Sequence, residues 1–247
     1  VSINTTLQNL TKKNVKDLSV RWSIYRNKLY SDDNELVATF ETTKEKTACS
    51  GNKLANLQQT ITLNNAAPWT AEEPNVYVLV GELMQGKKVI ETISFQTGFR
   101  SVEIKDTPAH EDEFGLAGRY YYINGKALKL KGVNRHDTNP LTGKVISREQ
   151  MEREIMLMKR ANINHIRTAH YPNDPYFYHL CNKYGIYLES EANIESHEYF
   201  YGKASLSHVP EFQAAHVDRV MTMAHQLVNN PSIVIWSLGN EAGPSHN

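Results

Sequence analysis

The stretch Ser232-Ile-Val-Ile-Trp-Ser-Leu-Gly-Asn-Glu241 (SIVIWSLGNE) decides the fold class of the second half of this chain. Ile233, Val234, Ile235 and Trp236 are apolar in succession, whereas a strand with one wet face would alternate apolar and polar residues. So short an unbroken run fits a strand buried on both faces, the usual state of a parallel sheet covered by helices. It ends in Gly239, Asn240 and a carboxylate, Glu241. The expected strand is therefore apolar along its length and acidic at its tip. Burying a carboxylate there is costly unless it has partners or a task.

Upstream, the same rhythm of strand, loop and helix occurs three more times. Ala127–Asn134 (ALKLKGVN) leads into a loop holding Arg135, His136 and Pro140. Ser147-Arg-Glu-Gln150 has the form of a capping box, and Met151, Ile155 and Met158 share one helical face behind it. Asn164–Thr168 (NHIRT) reads as a second strand. Asp174-Pro175 opens the next helix and Gly185 closes it, with proline in the first turn and glycine past the end. Ile186-Tyr-Leu188 begins a third strand. A third helix is expected over 209–229, with Val217, Met221, Ala224 and Val228 spaced for burial. Four successive β-loop-α units imply a parallel α/β sheet.

The first hundred residues have another texture. VSINTTLQNL, SVRWSIYR, LVATFETT, LQQTITLN and VYVLVGELM are short runs rich in Val, Ile, Thr and Tyr, separated by turn-formers such as SDDN at 31–34 and SGN at 50–52. This pattern predicts a β-sandwich of immunoglobulin-like size, although the Cys–Trp–Cys spacing of true immunoglobulin domains is missing. Residues 101–118 are polar and hold Pro108, Gly115 and Gly118. The expected domains are 1–104, an immunoglobulin-like sandwich, and 105–247, an α/β unit. Asn124-Gly125, between Arg119-Tyr-Tyr-Tyr-Ile123 and Lys126–Lys131, marks a hairpin with a type I′ turn.

Lysines and arginines equal acids at 27 each, so there is no electrostatic case for nucleic acid or an acidic membrane. No apolar stretch approaches the roughly 18 residues of a membrane span, and no signal-peptide pattern opens the chain. Cys49 and Cys181 are expected to be free thiols. The chain begins at Val1 rather than Met and is read as a piece of something longer.

Every strand of the second half ends in polar residues: Asn134, Arg135 and His136; Arg167, Thr168 and His170; Glu189, Glu191, Asn193, Glu195 and His197; Asn240 and Glu241. In parallel α/β folds the carboxyl ends of the strands share one mouth, so these residues predict one polar pocket. Singly they are ambiguous. His136 or His170 alone is as readily structural, and Glu195-Ser-His197 is by itself a weak metal signal, since many such pairs bind nothing. No nucleophilic Ser or Cys stands at a strand–helix elbow, and phosphate-binding glycine loops and zinc spacings are absent. Carboxylates set among His, Arg and Asn remain, and paired carboxylates cleave glycosidic bonds, one protonating the leaving oxygen while the other attacks or activates water. Glu241 is the candidate acid, its apolar approach and neighbouring carboxylates being expected to raise its pKa.

GVNRHDTNPLTG (132–143), IRTAHYPNDP (166–175), EANIESH (191–197) and NPSIVIWSLGNE (230–241) resemble the signature segments of glycoside hydrolase family 2, in particular its large β-galactosidases. PWTAEEPNVYVLVGEL (68–83) with TGFRSVEI (97–104) is similar to that family's junction between a sandwich and a (β/α)8 barrel. The likeness runs from about residue 66 to the end. It implies a sandwich followed by the first half of a TIM barrel, and retaining hydrolysis of terminal β-D-galactosides. Glu241 would be the general acid/base and Asn240 a hydrogen-bond partner of the sugar 2-hydroxyl. Glu195, His197 and Glu241 would hold magnesium, His136 and His170 would contact sugar, and Arg167 would lie beside the nucleophile. Glu191 matches the acid of the family's Asp-Glu-Ala-Asn-Ile-Glu segment. Two positions depart from the pattern: Ser190 stands where an aspartate is usual, and Glu198 where a glycine follows the histidine.

The family's nucleophile lies on a later barrel strand, so the resemblance implies that this chain, with four barrel units, lacks it. It is then expected to be inactive alone and to need the remainder of its own polypeptide, in a parent that is a homo-oligomer. The compartment stays open between the cytoplasm and the periplasm of a bacterium. β-Glucuronidase, β-mannosidase and an inactive carbohydrate-binding fragment are the competing readings.

Overall fold

The computed structural model describes residues 1–41, 47–112, 114–197 and 205–242, and the chain divides into two compact units. Val1–Ala67 with Asn75–Thr97 form the first, and Pro68–Pro74 with Gly98 onward the second. The division falls at Gly98 rather than at 105, because the strand beginning at Val102 pairs within the second unit.

The first unit is all-β: β1 (Ser2–Gln8), β2 (Val15–Asn27), β3 (Asn34–Glu41), β4 (Thr47–Cys49), β5 (Leu54–Thr60), β6 (Tyr77–Gln85) and β7 (Lys88–Thr97). One sheet has the order β3-β2-β6-β7, with β4 also on β2, and the second is the pair β1-β5. All pairings are antiparallel. Trp22 faces Gly81 across the β2–β6 register. A Cβ on Gly81 would lie 2.6 Å from the indole, so the missing side chain is the space the ring fills. β4 and β7 fall outside the strands expected from sequence. β4 has three residues, and β7 is exposed through Ser94, with Lys88 and Glu91 breaking its apolar alternation.

The second unit opens with an antiparallel sheet of β8 (Val102–Thr107), β9 (Gly118–Ile123) and β10 (Lys126–Leu128). Asn124 and Gly125 carry φ of 50° and 78°, the two left-handed positions a type I′ turn needs. Then follow β11 (Gly132–Arg135), α1 (Arg148–Arg160), β12 (His165–Thr168), α2 (Pro175–Tyr184), β13 (Tyr187–Glu191), α3 (Gln213–Leu227) and β14 (Ile233–Ser237). β11 to β14 lie parallel in sequence order. Met151 and Ile155 of α1, Phe177 and Leu180 of α2, and Met223 and Leu227 of α3 pack on Ile166, Leu188 and Ile233. Strand alternation puts His165, Arg167, Glu189 and Glu191 on the opposite face. A sheet wound in one direction, helices on one face and polar groups on the other, is the start of a barrel rather than of a doubly wound sheet, in which strand order reverses.

The local signals behave as their chemistry requires, with one exception. Ser147 Oγ accepts from Gln150 N (3.2 Å), and Asp174 caps α2 through Tyr176 N (2.7 Å). The Gln150 side chain instead accepts from Asn139 Nδ2 (2.7 Å) and donates to Glu154 (2.8 Å), leaving the second half of the capping box unformed. Gly185 ends α2 at φ 72°, and a Cβ there would sit 2.1 Å from Ala71 O. Gly185→Ala combines a left-handed penalty of about 1–2 kcal/mol with that backbone clash. It should therefore destabilise the second unit by more than about 2 kcal/mol in urea unfolding; an unchanged midpoint would contradict the packing described.

Two burial expectations are corrected. On α3, Met223 and Leu227 face the core, while Val217, Met221 and Val228 are exposed and Ala224 is half-buried. Both stripes have three- and four-residue spacing, so periodicity establishes that an apolar stripe exists without selecting between adjacent ones. SIVIWSLGNE is not buried throughout either. Ile233 is enclosed, but Trp236 and Leu238 are exposed, because β14 is the edge of its sheet among the described residues.

Candidate active site

The carboxyl ends of β11 to β14 gather the polar residues expected there. Arg167 is the hub. Its Nε and Nη2 donate to Glu191 Oε2 (2.6 Å) and Oε1 (2.8 Å), a bidentate pair made on facing strands. Nη2 also donates to Asn240 Oδ1 (2.7 Å), and Nη1 to Asn134 Oδ1 (3.2 Å). His170 Nδ1 lies 3.1 Å from Glu191 Oε1, and Ser237 Oγ donates to Glu191 Oε2 (2.8 Å). Three of the four strand ends thus converge on one carboxylate, and the fourth reaches it through Asn134 and Arg167.

Glu191 is fully buried. Burial favours its neutral form, but hydrogen bonds from Arg167, Ser237 and His170 outweigh it and hold the carboxyl below its usual range. The same pairing raises the Arg167 guanidinium. Glu189, one pleat deeper on the same face, is 4.0 Å from Arg167 Nε, and burial pushes its carboxyl up against the pull of that charge.

Asn240 extends the network outward. Its Nδ2 donates to Glu195 Oε2 (2.6 Å), so its amide is oriented from both ends and keeps one donor and one acceptor site free of these bonds. Asn240 N also donates to Ile194 O (2.8 Å), bringing the segment after β14 beside the segment after β13. This places Glu195, His197 and Glu241 together. His197 Nδ1 contacts Glu241 and lies 4.0 Å from Glu195 Oε1, and one donor atom from each residue fits within 4.8 Å of the others. Glu241 itself is exposed, with 43% of its side chain accessible. The buried acid expected at a strand tip is Glu191 instead, because the chain turns out of the sheet after Ser237.

His136 and His170 rings meet edge-on, centroids 4.9 Å apart. Burial, then the His170, Lys144 and Arg167 charges, lower the His136 pKa, leaving a neutral imidazole at neutral pH. Lys144 Nζ donates to Tyr171 Oη (2.8 Å), which fixes the loops after β11 and β12 to one another.

Other expected residues lie elsewhere. The Arg135 side chain is buried on the helix side, donating to Glu154 (2.8 Å), Asp137 (2.5 Å) and Asn173 (2.6 Å) over the Phe177 ring. It anchors the loop behind the mouth. Ser190 also faces the helices, 3.0 Å from Tyr178 Oη, and takes no part in the Arg167 network. Asn193 is exposed. Glu198 lies outside the described residues. Ser237 was not singled out by sequence; its position two residues past Ile235 on the mouth-facing side of β14 is the signal that could have found it.

Deeper on the polar face, His165 is buried, its Nε2 has no hydrogen-bond partner among the described residues, and burial depresses its pKa to about 4. The folded value lies below the unfolded 6.5, so the unfolded chain binds the proton more readily. Stability is complete above about pH 6.5 and declines as pH falls toward 4, by at most about 3 kcal/mol. His165→Leu should flatten urea midpoints between pH 6.5 and 4, and an unaltered slope would dismiss this origin.

Comparison with known proteins agrees with this architecture. Residues 115–247 match the family profile described as glycosyl hydrolases family 2, TIM barrel domain, and residues 1–100 match that of glycosyl hydrolases family 2. A β-galactosidase of Photobacterium profundum is 43% identical over 192 residues, covering 76% of this chain and 17% of that protein. One of Priestia megaterium is 43% identical over 197 residues, covering 75% and 18%. The chain thus spans less than a fifth of the curated relatives it matches. In structure it is similar to Bacteroides uniformis β-glucuronidase, with a TM-score of 0.77 and 23% identity over 95% of this chain and 25% of that one.

Proposed function

The chain belongs to glycoside hydrolase family 2, and we propose that its parent polypeptide is a retaining β-galactosidase to which this chain contributes the general acid/base and the first four units of the barrel. The reading rests on one observation above others. Glu195, His197 and Glu241 come together from two loops and are tied through Asn240 to the Arg167–Glu191 pair. The 43% identity to proteins named β-galactosidase supports the galactoside preference over β-glucuronidase and β-mannosidase.

In this reading Glu241 protonates the glycosidic oxygen as the bond to the anomeric carbon breaks, then removes a proton from the water that hydrolyses the galactosyl-enzyme. Its exposure suits a group that must reach a leaving oxygen and later a water. The nucleophile comes from a later strand in the rest of the polypeptide, so the chain alone turns over nothing. Asn240 offers its remaining amide hydrogen to the sugar 2-hydroxyl. Arg167 holds Asn240 in place and directs positive charge at the site the nucleophile would enter, and His136 and His170 line the sugar side.

The donor set fits a magnesium ion. Two carboxylates from separate loops with an imidazole, all partly open to water, suit a cation that keeps several of its waters. Glu195, His197 and Glu241 would hold it, and when bound it supplies a fixed positive charge beside the acid. Isothermal titration of the parent polypeptide with magnesium should show one site, and Glu195→Gln should weaken it by about tenfold or more. Identical affinity in the variant would remove Glu195 from the ligand set. A panel of nitrophenyl glycosides tests the substrate: fastest turnover of the β-galactoside is expected, and a preference for the β-glucuronide or β-mannoside would reassign it.

A further inference from the structure

His136 stands exposed on the loop after β11, yet the residues on both sides of it, Arg135 and Asp137, are buried. Both neighbours are tied to Tyr171, on the loop after β12. Arg135 Nη1 donates to Asn173 Oδ1 (2.6 Å), and Asn173 Nδ2 donates to the Tyr171 carbonyl (3.3 Å). Asp137 N donates directly to Tyr171 Oη (3.1 Å). The chain on either side of His136 is therefore fixed to one tyrosine. The imidazole itself meets the Tyr171 ring at a centroid distance of 6.2 Å and the His170 ring at 4.9 Å.

Tyr171 is held in turn by Lys144. The ammonium donates to Tyr171 Oη (2.8 Å) and stands 4.8 Å from the centre of its ring. The phenolic oxygen thus accepts from Asp137 N and from Lys144 at once, the first a backbone group beside His136 and the second a charged donor. Lys144 is placed for this by a closed turn. Asn139 N and Gly143 N each donate to the other's carbonyl oxygen (2.8 and 2.9 Å), and Asn139 Nδ2 anchors the turn on Gln150 of α1 (2.7 Å). A side chain on an exposed loop that becomes ordered only when a ligand arrives adds its ordering cost to binding, and one already in place does not.

We infer that Tyr171 and Lys144 are positioning residues that hold His136 in its sugar-contacting place before substrate arrives. Neither touches the reacting atoms. The inference deepens the glycosidase reading and rests on its assignment of His136 to the sugar side.

A double-mutant cycle on the parent polypeptide tests it. Binding is read by isothermal titration with the methyl β-D-thioglycoside of the sugar that the nitrophenyl panel selects, whose sulfur link resists cleavage. Tyr171→Phe keeps the ring and removes the acceptor. It should weaken binding and raise KM by about three- to tenfold, the scale of one or two lost hydrogen bonds, with kcat held within about twofold. Lys144→Met, at an exposed position, should act in the same direction, and Lys144→Arg, which restores a charged donor, should recover the wild-type affinity. In a His136→Ala background, Tyr171→Phe should have no further effect. The same loss in both backgrounds would make Tyr171 merely structural and overturn the inference, as would unaltered binding in Tyr171→Phe or a fall in kcat at constant KM. Wild-type binding by His136→Ala would fail differently: it would remove His136 from the sugar site and take the inference with it.

Discussion

Glu241→Gln in the parent polypeptide should lower kcat by about 10²- to 10⁴-fold on β-galactosides with poor leaving groups, the range that a positioned proton donor supplies. The loss should shrink for activated nitrophenyl substrates, whose leaving oxygen needs little protonation. Hydrolysis of the galactosyl-enzyme then becomes limiting, and azide should restore turnover because an anionic nucleophile needs no base. The amide keeps the size of the side chain and its acceptor oxygen, so the Ser196 hydroxyl bond to the backbone oxygen of residue 241 (3.2 Å) is undisturbed. Full activity in the variant would end the assignment of Glu241. A loss independent of leaving group, with no azide effect, would point to a positioning role instead.

Arg167→Ala should be the most damaging change to the stability of the second unit. It leaves Glu191, fully buried, with only Ser237 and His170 among the described residues against its charge. Breaking a buried pair by removing one partner costs about 3–5 kcal/mol, and the partial exposure of Arg167 places the expectation near 3. The pH dependence has a definite sign. Glu191 has a lowered pKa in the folded state, so its contribution is present above the unfolded value of about 4.3 and is lost as pH falls through the folded one. Without Arg167 that loss should begin at higher pH. Adding Glu191→Gln to Arg167→Ala should recover part of the stability, since the stranded charge is gone, and the coupling energy of the double-mutant cycle measures the pair. Additive effects would show that Glu191 is already neutral in the fold.

Much of the fold was legible because its signals are local. Asn124-Gly125 dictates a turn through φ angles few other residue pairs accept, and Asp174-Pro175 and Gly185 bracket α2 by capping chemistry. The gathering of polar residues at one mouth followed from parallel strands alone. What the periodic pattern left undetermined was orientation. Val217 and Met223 belong to neighbouring stripes of one helix, and Arg135 and Asn134 are adjacent in β11 yet point to opposite faces.

The sequence by itself determined which chemistry is available: carboxylates, histidines and an arginine at strand tips, without a nucleophilic serine or cysteine or a phosphate loop. Tertiary structure alone decided which carboxylate is buried and which is open. Glu191 sits inside the sheet, where only the strands on either side can offer Arg167 and Ser237 to offset its desolvation. Glu241 lies past the end of β14, where the backbone has left the sheet and water reaches the side chain. Desolvation depends on what surrounds a residue in space, and SIVIWSLGNE carries no record of its neighbours.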